Sequence, residues 1–371
     1  MADEPQKNGM KIGLVNNAWR GTGIGRYVFD LFLQLEKDGR NIDMLFLRTK
    51  REFGYQNPKI FNINAPIKNS TIANYVYFPS KIPKGYEIYH ISNETIAKCV
   101  KGRQRSVVTC AALLPFISNG NGLLKNFIER RQLSFLKQAN GIISLSKSLK
   151  RQITERLDID PKLIDVVYPG INHNTFKPRD KVSARKKFNL PLDKKIVLHV
   201  GTEEPRKNVN TYLQALPMII KDVPNLLFVR VGWQSPSNKK IIKENGLDNY
   251  VRYMDIPTSQ VHEIYAAADL FVFPSIYEGL SLPPLEAMAS GIPVIAANAD
   301  ANLEGIGDGG IIIDKYDVST FAQWTVKILT DEKMALSLQK RAVDFSSRFT
   351  WEHAADETWK VYEKVMQENP R

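Results

Sequence analysis

The chain has 371 residues, 43% of them apolar and 24% charged, with a net charge of +12 and two cysteines. That length exceeds what one hydrophobic core usually serves, and the apolar content is that of a folded protein rather than a disordered one. No apolar run approaches the roughly 18 to 20 residues that cross a bilayer, and the polar start MADEPQKNG has no signal-peptide core, so the reading is a cytoplasmic protein with an anionic partner.

Strand-like apolar runs alternate with helical patterns from end to end, which argues for parallel α/β architecture. KIGLVNN (11–17) reads as a first strand. The turn Arg20-Gly21-Thr22-Gly23-Ile24-Gly25-Arg26 follows, and a helix through GRYVFDLFLQLEKDG shows Val28, Leu31, Phe32 and Leu35 at helical spacing. Such a glycine turn at a helix start lets backbone N–H groups approach an anion, although a purely structural turn needs glycines too. GTGIG lacks the GxGxxG spacing and no acidic residue closes the second strand, which counts against a nicotinamide site. IDMLFL, GYEIYHIS, RSVVTC and NGIISLS continue as strands, with a flexible loop expected at Asn119–Gly122.

Between the last two of these strands, Lys125, Arg130, Arg131 and Lys137 share a helical stretch with Leu124, Phe127, Ile128, Leu133, Phe135 and Leu136. The pattern fits a core-packed helix with a solvated basic face, and also one that docks on an anionic membrane surface. The sequons at Asn69 and Asn93 are read as chance matches. Cys99 and Cys110 lack zinc spacing and suit a reducing compartment. The five histidines, His90, His173, His199, His262 and His353, are scattered without metal-ligand spacing.

VVYPGINHNTFKP (166–178) interrupts the pattern as a linker would. A second unit then opens with KKIVLHVGT and continues through LLFVRVG, YVRYMD, LFVFPS and PVIAAN. Two doubly wound parallel-sheet units would face each other across a cleft, with ligands beyond the carboxyl ends of the strands. In GTEEPRKN (201–208), Arg206 and Lys207 follow a strand-ending glycine at an expected helix start, where side-chain and backbone donors can serve a diphosphate. In YEGLSLPPLEAMASG (277–291), Glu278 precedes a proline-rich helix start and Glu286 lies inside it. Glu286 could act as a helix cap, or both carboxylates could accept hydrogen bonds from vicinal hydroxyls.

With seven residues between Glu278 and Glu286, PSIYEGLSLPPLEAMASGIPVIA resembles the EX7E element of the retaining GT-B glycosyltransferases of family four. GTGIGRYVFDLFLQL, NGIISLSKSLKRQI, VVYPGINHNTFKP, HVGTEEPRKN and the closing WEHAADETWKVYEKV extend the resemblance along nearly the whole chain. It implies a disordered segment at 1–9, an acceptor-side domain at 10–175, a donor-binding domain at 176–347, and a closing helix at 348–371 that returns to the first domain. It also implies that Arg206 and Lys207 hold the donor diphosphate and Glu286 the donor ribose. Glu278 would contact the transferred sugar, and the amides of Gly279, Leu280 and Ser281 would lie near the distal phosphate. Gly23 and Gly25 would approach the same phosphates from the first domain. The activity implied is transfer, with retention, of a mannose- or glucose-type hexose from a GDP or UDP donor to a glycan or lipid-linked acceptor, with neither metal nor cofactor.

The chain departs from the family's pattern at one place. A His-Asp pair usually ends the strand before the basic helix, and here Val108-Thr109-Cys110-Ala111-Ala112 stands instead. Cys110 cannot supply an imidazole hydrogen bond. His90, at the end of the preceding strand, is then a candidate substitute at the cleft edge, its plain alternative being a hydrogen-bonded strand-end histidine. The second functional reading is therefore a nucleotide-sugar-binding protein with weakened catalysis. Nucleic-acid binding rests on charge alone, without any RNA-binding motif, and is set aside.

Overall fold

A computed structural model describes residues 10–49, 57–116, 123–279 and 282–368. The expectations for segment 1–9 and for the loop 119–122 lie outside them. The chain divides into two units, Met1–Gly170 with Trp351–Arg371, and Ile171–Thr350. The divisions fall a few residues from the expected 175 and 347, and the closing helix is part of unit one.

Unit one holds a seven-stranded sheet in the order β3-β2-β1-β4-β5-β6-β7. The strands are β1 (Ile12–Asn16), β2 (Ile42–Arg48), β3 (Ile60–Asn64), β4 (Ile88–Ile91), β5 (Ser106–Cys110), β6 (Gly141–Ser144) and β7 (Ile164–Val166). Among the described residues its strands all pair in parallel. β1, β4, β5 and β6 are buried along their whole length, which is why they read as continuous apolar runs rather than alternating ones. Unit two holds a six-stranded sheet, β10-β9-β8-β11-β12-β13, from β8 (Lys195–Val200), β9 (Leu226–Val231), β10 (Val251–Met254), β11 (Leu270–Phe273), β12 (Val294–Ala297) and β13 (Ile311–Ile313). Its strands alternate their side chains between two cores: Leu198, Phe271 and Val294 on one face, Val197, Leu270 and Ile295 on the other.

In each sheet the strand order reverses once, between β1 and β4 in unit one and between β8 and β11 in unit two. Ligands of doubly wound folds bind at such switch points, because the loops leaving the two adjacent strands diverge to opposite faces of the sheet.

The closing helix, Trp351–Gln367, buries Trp351, Ala354, Ala355, Thr358, Trp359, Tyr362 and Val365, a stripe at helical spacing. Trp351 meets Tyr27 with ring centroids 5.9 Å apart, and the Arg40 guanidinium lies 4.5 Å from the Trp359 ring centroid. Gly141 admits this helix to β6, since a Cβ there would stand 3.0 Å from Val365 Cγ2.

The helix also accounts for His90. Its Nδ1 lies 2.6 Å from the Tyr362 hydroxyl and its Nε2 2.8 Å from Thr109 Oγ1, and the residue is fully buried. The expectation that His90 faces a cleft edge and substitutes for the family histidine is therefore corrected. The closing helix covers the ring, and Tyr362 from that helix and Thr109 from β5 occupy its two nitrogens. Burial holds its pKa near 3, against an ordinary 6.5. The folded chain thus binds that proton less readily than the unfolded chain, so the stability His90 contributes is complete above pH 6.5 and is lost as pH falls toward 3. We expect His90→Asn to be less stable than wild type at pH 7.5, with the gap narrowing by at most about 1.4 kcal/mol per pH unit on acidification below 6.5. Urea denaturation from pH 7.5 to 4.5 checks this, and a gap independent of pH would refute it.

Candidate donor site

The loops leaving β8 and β11 meet at the switch point of unit two. After β8 the chain turns at Gly201, whose φ is 145°, a conformation glycine adopts without strain. The loop after β9 packs against this turn backbone to backbone: a Cβ on Gly232 would lie 2.4 Å from the Gly201 carbonyl oxygen. Arg206 and Lys207 then occupy a 3-10 turn, Pro205–Lys207, and not the helix start the sequence suggested; the helix begins at Val209. Between the two stands Asn208 in the left-handed conformation, with φ 51° and ψ 32°. Its amide nitrogen donates to the carbonyls of Lys315 (2.7 Å) and Pro274 (3.2 Å), and its amide oxygen accepts from Thr211 Oγ1 at 2.8 Å. The carbonyl of Arg206 accepts from Ile276 N–H at 2.9 Å and lies 3.1 Å from Ser275 Oγ. The two loops are thus joined through backbone before any charged side chain meets another.

On that frame Glu278 is held by both cations. Lys207 Nζ donates to its Oε1 at 2.5 Å and Arg206 Nη1 lies 3.1 Å from its Oε2, while Ser275 Oγ donates to Oε1 at 2.5 Å. Arg206 also donates through Nε to Glu204 Oε2 at 2.8 Å. Lys207 and Glu278 are each 11% exposed. Burial pushes the Glu278 carboxyl up, but Lys207 and Arg206, with the hydrogen bonds from Lys207 and Ser275, outweigh it, so the group lies below the ordinary carboxylate range. With Glu204 beside Glu278, two cations meet two carboxylates, so an anionic group would draw Arg206 and Lys207 away from these partners, and a rigidly held carboxylate can accept from paired hydroxyls.

Glu286 is placed differently. It lies within Leu282–Ala289, is 2% exposed, and accepts the Tyr265 hydroxyl at Oε2, 2.8 Å away. Pro283 and Pro284 fall in the first turn of that helix, where missing N–H groups cost no intrahelical bond. Gly279 is buried, and Leu280 and Ser281 lie outside the described residues. The structure therefore brings Arg206, Lys207 and Glu278 into direct contact and holds Glu286 separately through Tyr265.

Behind the Gly201 turn sits a charged cluster that sequence reasoning missed. Glu203 and Arg230 have fully buried side chains, with Arg230 Nε 3.3 Å from Glu203 Oε1. Tyr253 Oη donates to the same oxygen at 2.5 Å, and the Ser235 N–H to Glu203 Oε2 at 2.5 Å. Arg230 also donates to His199 Nδ1 and to the carbonyls of His199 and Gly201, both at 3.2 Å. The sequence signal was an arginine inside the apolar run LLFVRV, which is costly in a buried strand unless a partner is supplied.

In unit one the helix Gly23–Lys37 is capped by Thr22, whose Oγ1 accepts the Gly25 N–H at 3.1 Å. Gly25 is needed for packing, since a Cβ there would fall 1.8 Å from the Trp19 carbonyl oxygen, whereas a Cβ on Gly23 meets nothing within 4 Å. Of the two glycines, only Gly23 leaves room for a close approach from outside. Cys110 ends β5 fully buried, its Sγ 4.0 Å from the Ala112 carbonyl oxygen, and burial together with nearby Glu94 keeps the thiol protonated. It has neither the exposure nor the thiolate character of a reactive group.

Family models described as Glycosyltransferase Family 4 and as Glycosyl transferases group 1 match residues 21–175 and 180–345 respectively. The O-antigen chain mannosyltransferase B of Escherichia coli is 32% identical over 170 residues, which is 44% of this chain and 45% of that protein. A D-inositol 3-phosphate glycosyltransferase of Mycolicibacterium smegmatis is 30% identical over 240 residues, 62% of this chain and 54% of that protein. The chain spans about half the length of these curated relatives. Among solved structures, sucrose-phosphate synthase from Thermosynechococcus elongatus superimposes with a TM-score of 0.78 at 21% identity, covering 97% of this chain and 100% of that one. Anabaena HepE in complex with UDP-glucose gives 0.77 at 16% identity, with coverage of 97% and 100%. The paired cations and carboxylate at the switch point of unit two, the two parallel sheets and both family matches lead to one assignment: the chain belongs to glycosyltransferase family 4 and has the GT-B fold.

Proposed function

We propose that the chain is a retaining glycosyltransferase that moves a mannose- or glucose-type hexose from a GDP or UDP donor to a glycan or lipid-linked acceptor. The observation that carries the reading is the Lys207–Glu278–Arg206 cluster, 2.5 and 3.1 Å across its two contacts. A nucleoside diphosphate departs with negative charge while the anomeric carbon gains oxocarbenium character. Arg206 and Lys207 neutralise the departing phosphates, a task for which this reading requires no metal ion. Glu278 moves from the cations to hydroxyls of the transferred sugar, and Gly279 contributes backbone beside it. Glu286 takes the ribose hydroxyls, with Tyr265 fixing its orientation. The acceptor attacks on the face the diphosphate leaves, helped by the phosphate as base. The mannosyltransferase among the relatives and the UDP-glucose bound by Anabaena HepE support a hexose donor.

A thermal-shift screen of UDP, GDP, ADP and their hexose conjugates tests this. One nucleotide series is expected to raise the melting temperature, since a ligand bound only by the folded state stabilises it by mass action. No shift with any nucleotide would remove the assignment. The buried Cys110 thiol, which offers no imidazole hydrogen bond, favours a second reading: a protein that binds the donor with little turnover. Binding without nucleotide release across a broad acceptor panel would select it.

The peripheral-membrane part of the reading narrows to a few side chains. Leu133, Phe135 and Leu136 belong to the core, while Phe127 is 66% exposed, one helical turn before the exposed Arg131. Among the described residues no helix is long and apolar enough to cross a membrane. Flotation with anionic liposomes checks whether Phe127 and its basic neighbours hold the chain at a surface, and absence of binding would exclude it.

A further inference from the structure

The carboxyl edge of the unit-one sheet carries a buried acid that the donor chemistry does not use. β4 ends at Ile91, and Asn93 caps the 3-10 helix Glu94–Val100 by accepting the Thr95 N–H at 3.1 Å. Glu94, in the first turn, is 8% exposed. Its Oε2 accepts the N–H of Ala111 at 2.9 Å, and the Ala112 N–H also donates to the carboxylate. One side chain at the end of β4 therefore holds the first two residues beyond β5. Those residues are alanines, so this segment can offer an incoming group only its backbone geometry, and Glu94 sets it. It is also the segment whose Cys110 stands where the resemblance places a histidine.

We propose that Glu94 is a positioning residue of the transfer reaction: its carboxyl group holds the backbone of Ala111 and Ala112 in the placement the acceptor needs, more firmly when ionised. The inference rests on the glycosyltransferase reading. Two observations carry it beyond a packing role. An amide or hydroxyl would satisfy both alanine N–H groups without the cost of a buried acid. The site is also on the carboxyl edge of the sheet, in the loops beyond β4 and β5, where doubly wound folds bind ligands.

The titratable groups set against Glu94 are Glu129 from the helix Leu123–Ser134 and the Cys110 thiol from β5. From the same helix Gln132 is occupied by the Lys98 N–H at 2.8 Å, and the Lys98 ammonium lies 3.8 Å from the Tyr75 ring centroid. Burial raises the Glu94 carboxyl to about 7, with Glu129 adding to the rise and the amide hydrogen bonds opposing it. The group thus changes charge within the neutral range. Its ionised form accepts from the two amides with charge-assisted bonds, roughly twice as strong as neutral ones.

The experiment uses the full chain with Glu94→Gln and Glu94→Ala. Two quantities are read from pH 5.5 to 8.5: amide exchange of the 108–113 segment by mass spectrometry, and release of nucleoside diphosphate from whichever hexose donor binds, with water or simple glycosides as acceptor. Wild-type turnover is expected to rise through about pH 7 while donor KM stays level. E94Q, which can still accept an N–H, is expected to lose that inflection and remain near the low-pH rate. E94A is expected to show exchange of the segment on the order of 10- to 100-fold faster at pH 8. An inflection that persists unchanged in E94Q overturns the inference alone. Should E94A fail to fold, E94Q still decides. A wild-type chain that binds no nucleoside diphosphate overturns the glycosyltransferase reading, and this inference with it.

Discussion

Replacing Glu278 by glutamine is expected to drive two properties apart, tighter binding of the free nucleoside diphosphate and slower transfer from the nucleotide sugar. The carboxylate neutralises one of two cations at contacts of 2.5 and 3.1 Å. A diphosphate that uses Lys207 and Arg206 must therefore compete with it. Glutamine keeps the shape and removes the charge, so the affinity for UDP or GDP is expected to rise roughly 5- to 10-fold. Turnover is expected to fall by about 10²-fold, because the contact proposed between this carboxylate and the sugar hydroxyls would be lost where charge develops. Lys207→Ala has the opposite sign on binding. It leaves one cation for the phosphates and is expected to weaken nucleotide binding and to lower turnover by about 10²- to 10³-fold. Calorimetry with the free nucleotide beside steady-state rates separates the cases. Equal nucleotide affinity in wild type, E278Q and Lys207→Ala would sink the assignment of this cluster to the diphosphate.

The second large effect is on stability. Glu203→Ala is expected to destabilise the protein by about 3–5 kcal/mol, since it strands the buried Arg230 guanidinium. Glu203 also accepts the Tyr253 hydroxyl and the Ser235 N–H, both at 2.5 Å, so a part-buried and a buried donor also lose their acceptor. For a unit of this size the corresponding fall in melting temperature is roughly 10 °C. Glu203→Leu combined with Arg230→Met removes both charges and is expected to cost less than Glu203→Ala alone, because no unpaired ion remains. Thermal and urea denaturation measure both. A double variant less stable than the single one would show that hydrogen-bond geometry, not charge pairing, holds the Gly201 turn.

Much of the architecture was legible because parallel strands buried on both faces are unbroken apolar runs. β1, β5, β8 and β11 could be placed from that signal alone. β3, β7 and β13 were missed, and each is an edge strand. IFNIN in β3 is half exposed and carries two asparagines, while β7 and β13 have three residues each, so neither length nor pattern marks them as strands. The helix at Lys125–Lys137 was legible as amphipathic. Which of its apolar residues face the core could not be read, since it tightens to a 3-10 turn at Phe135–Gln138 and the helical spacing ends there.

The same division runs through the candidate site. By itself the sequence determined the doubly wound class, the family resemblance through Glu278 and Glu286, and the presence of two cations after a strand-ending glycine, because these depend on residue type and local spacing. Tertiary structure decided that Arg206 and Lys207 close on Glu278, that Asn208 locks their turn to the loop beyond β11, and that Glu203 rather than solvent compensates Arg230. It also decided that His90 belongs under the closing helix, bonded to Tyr362, 272 positions further along the chain. Each is a contact between segments brought together only when the sheet assembles, and a side chain's charge state follows from what then surrounds it. Residue type states which bonds Glu278, Glu94 and His90 can make; only burial and long-range partners state which they do make.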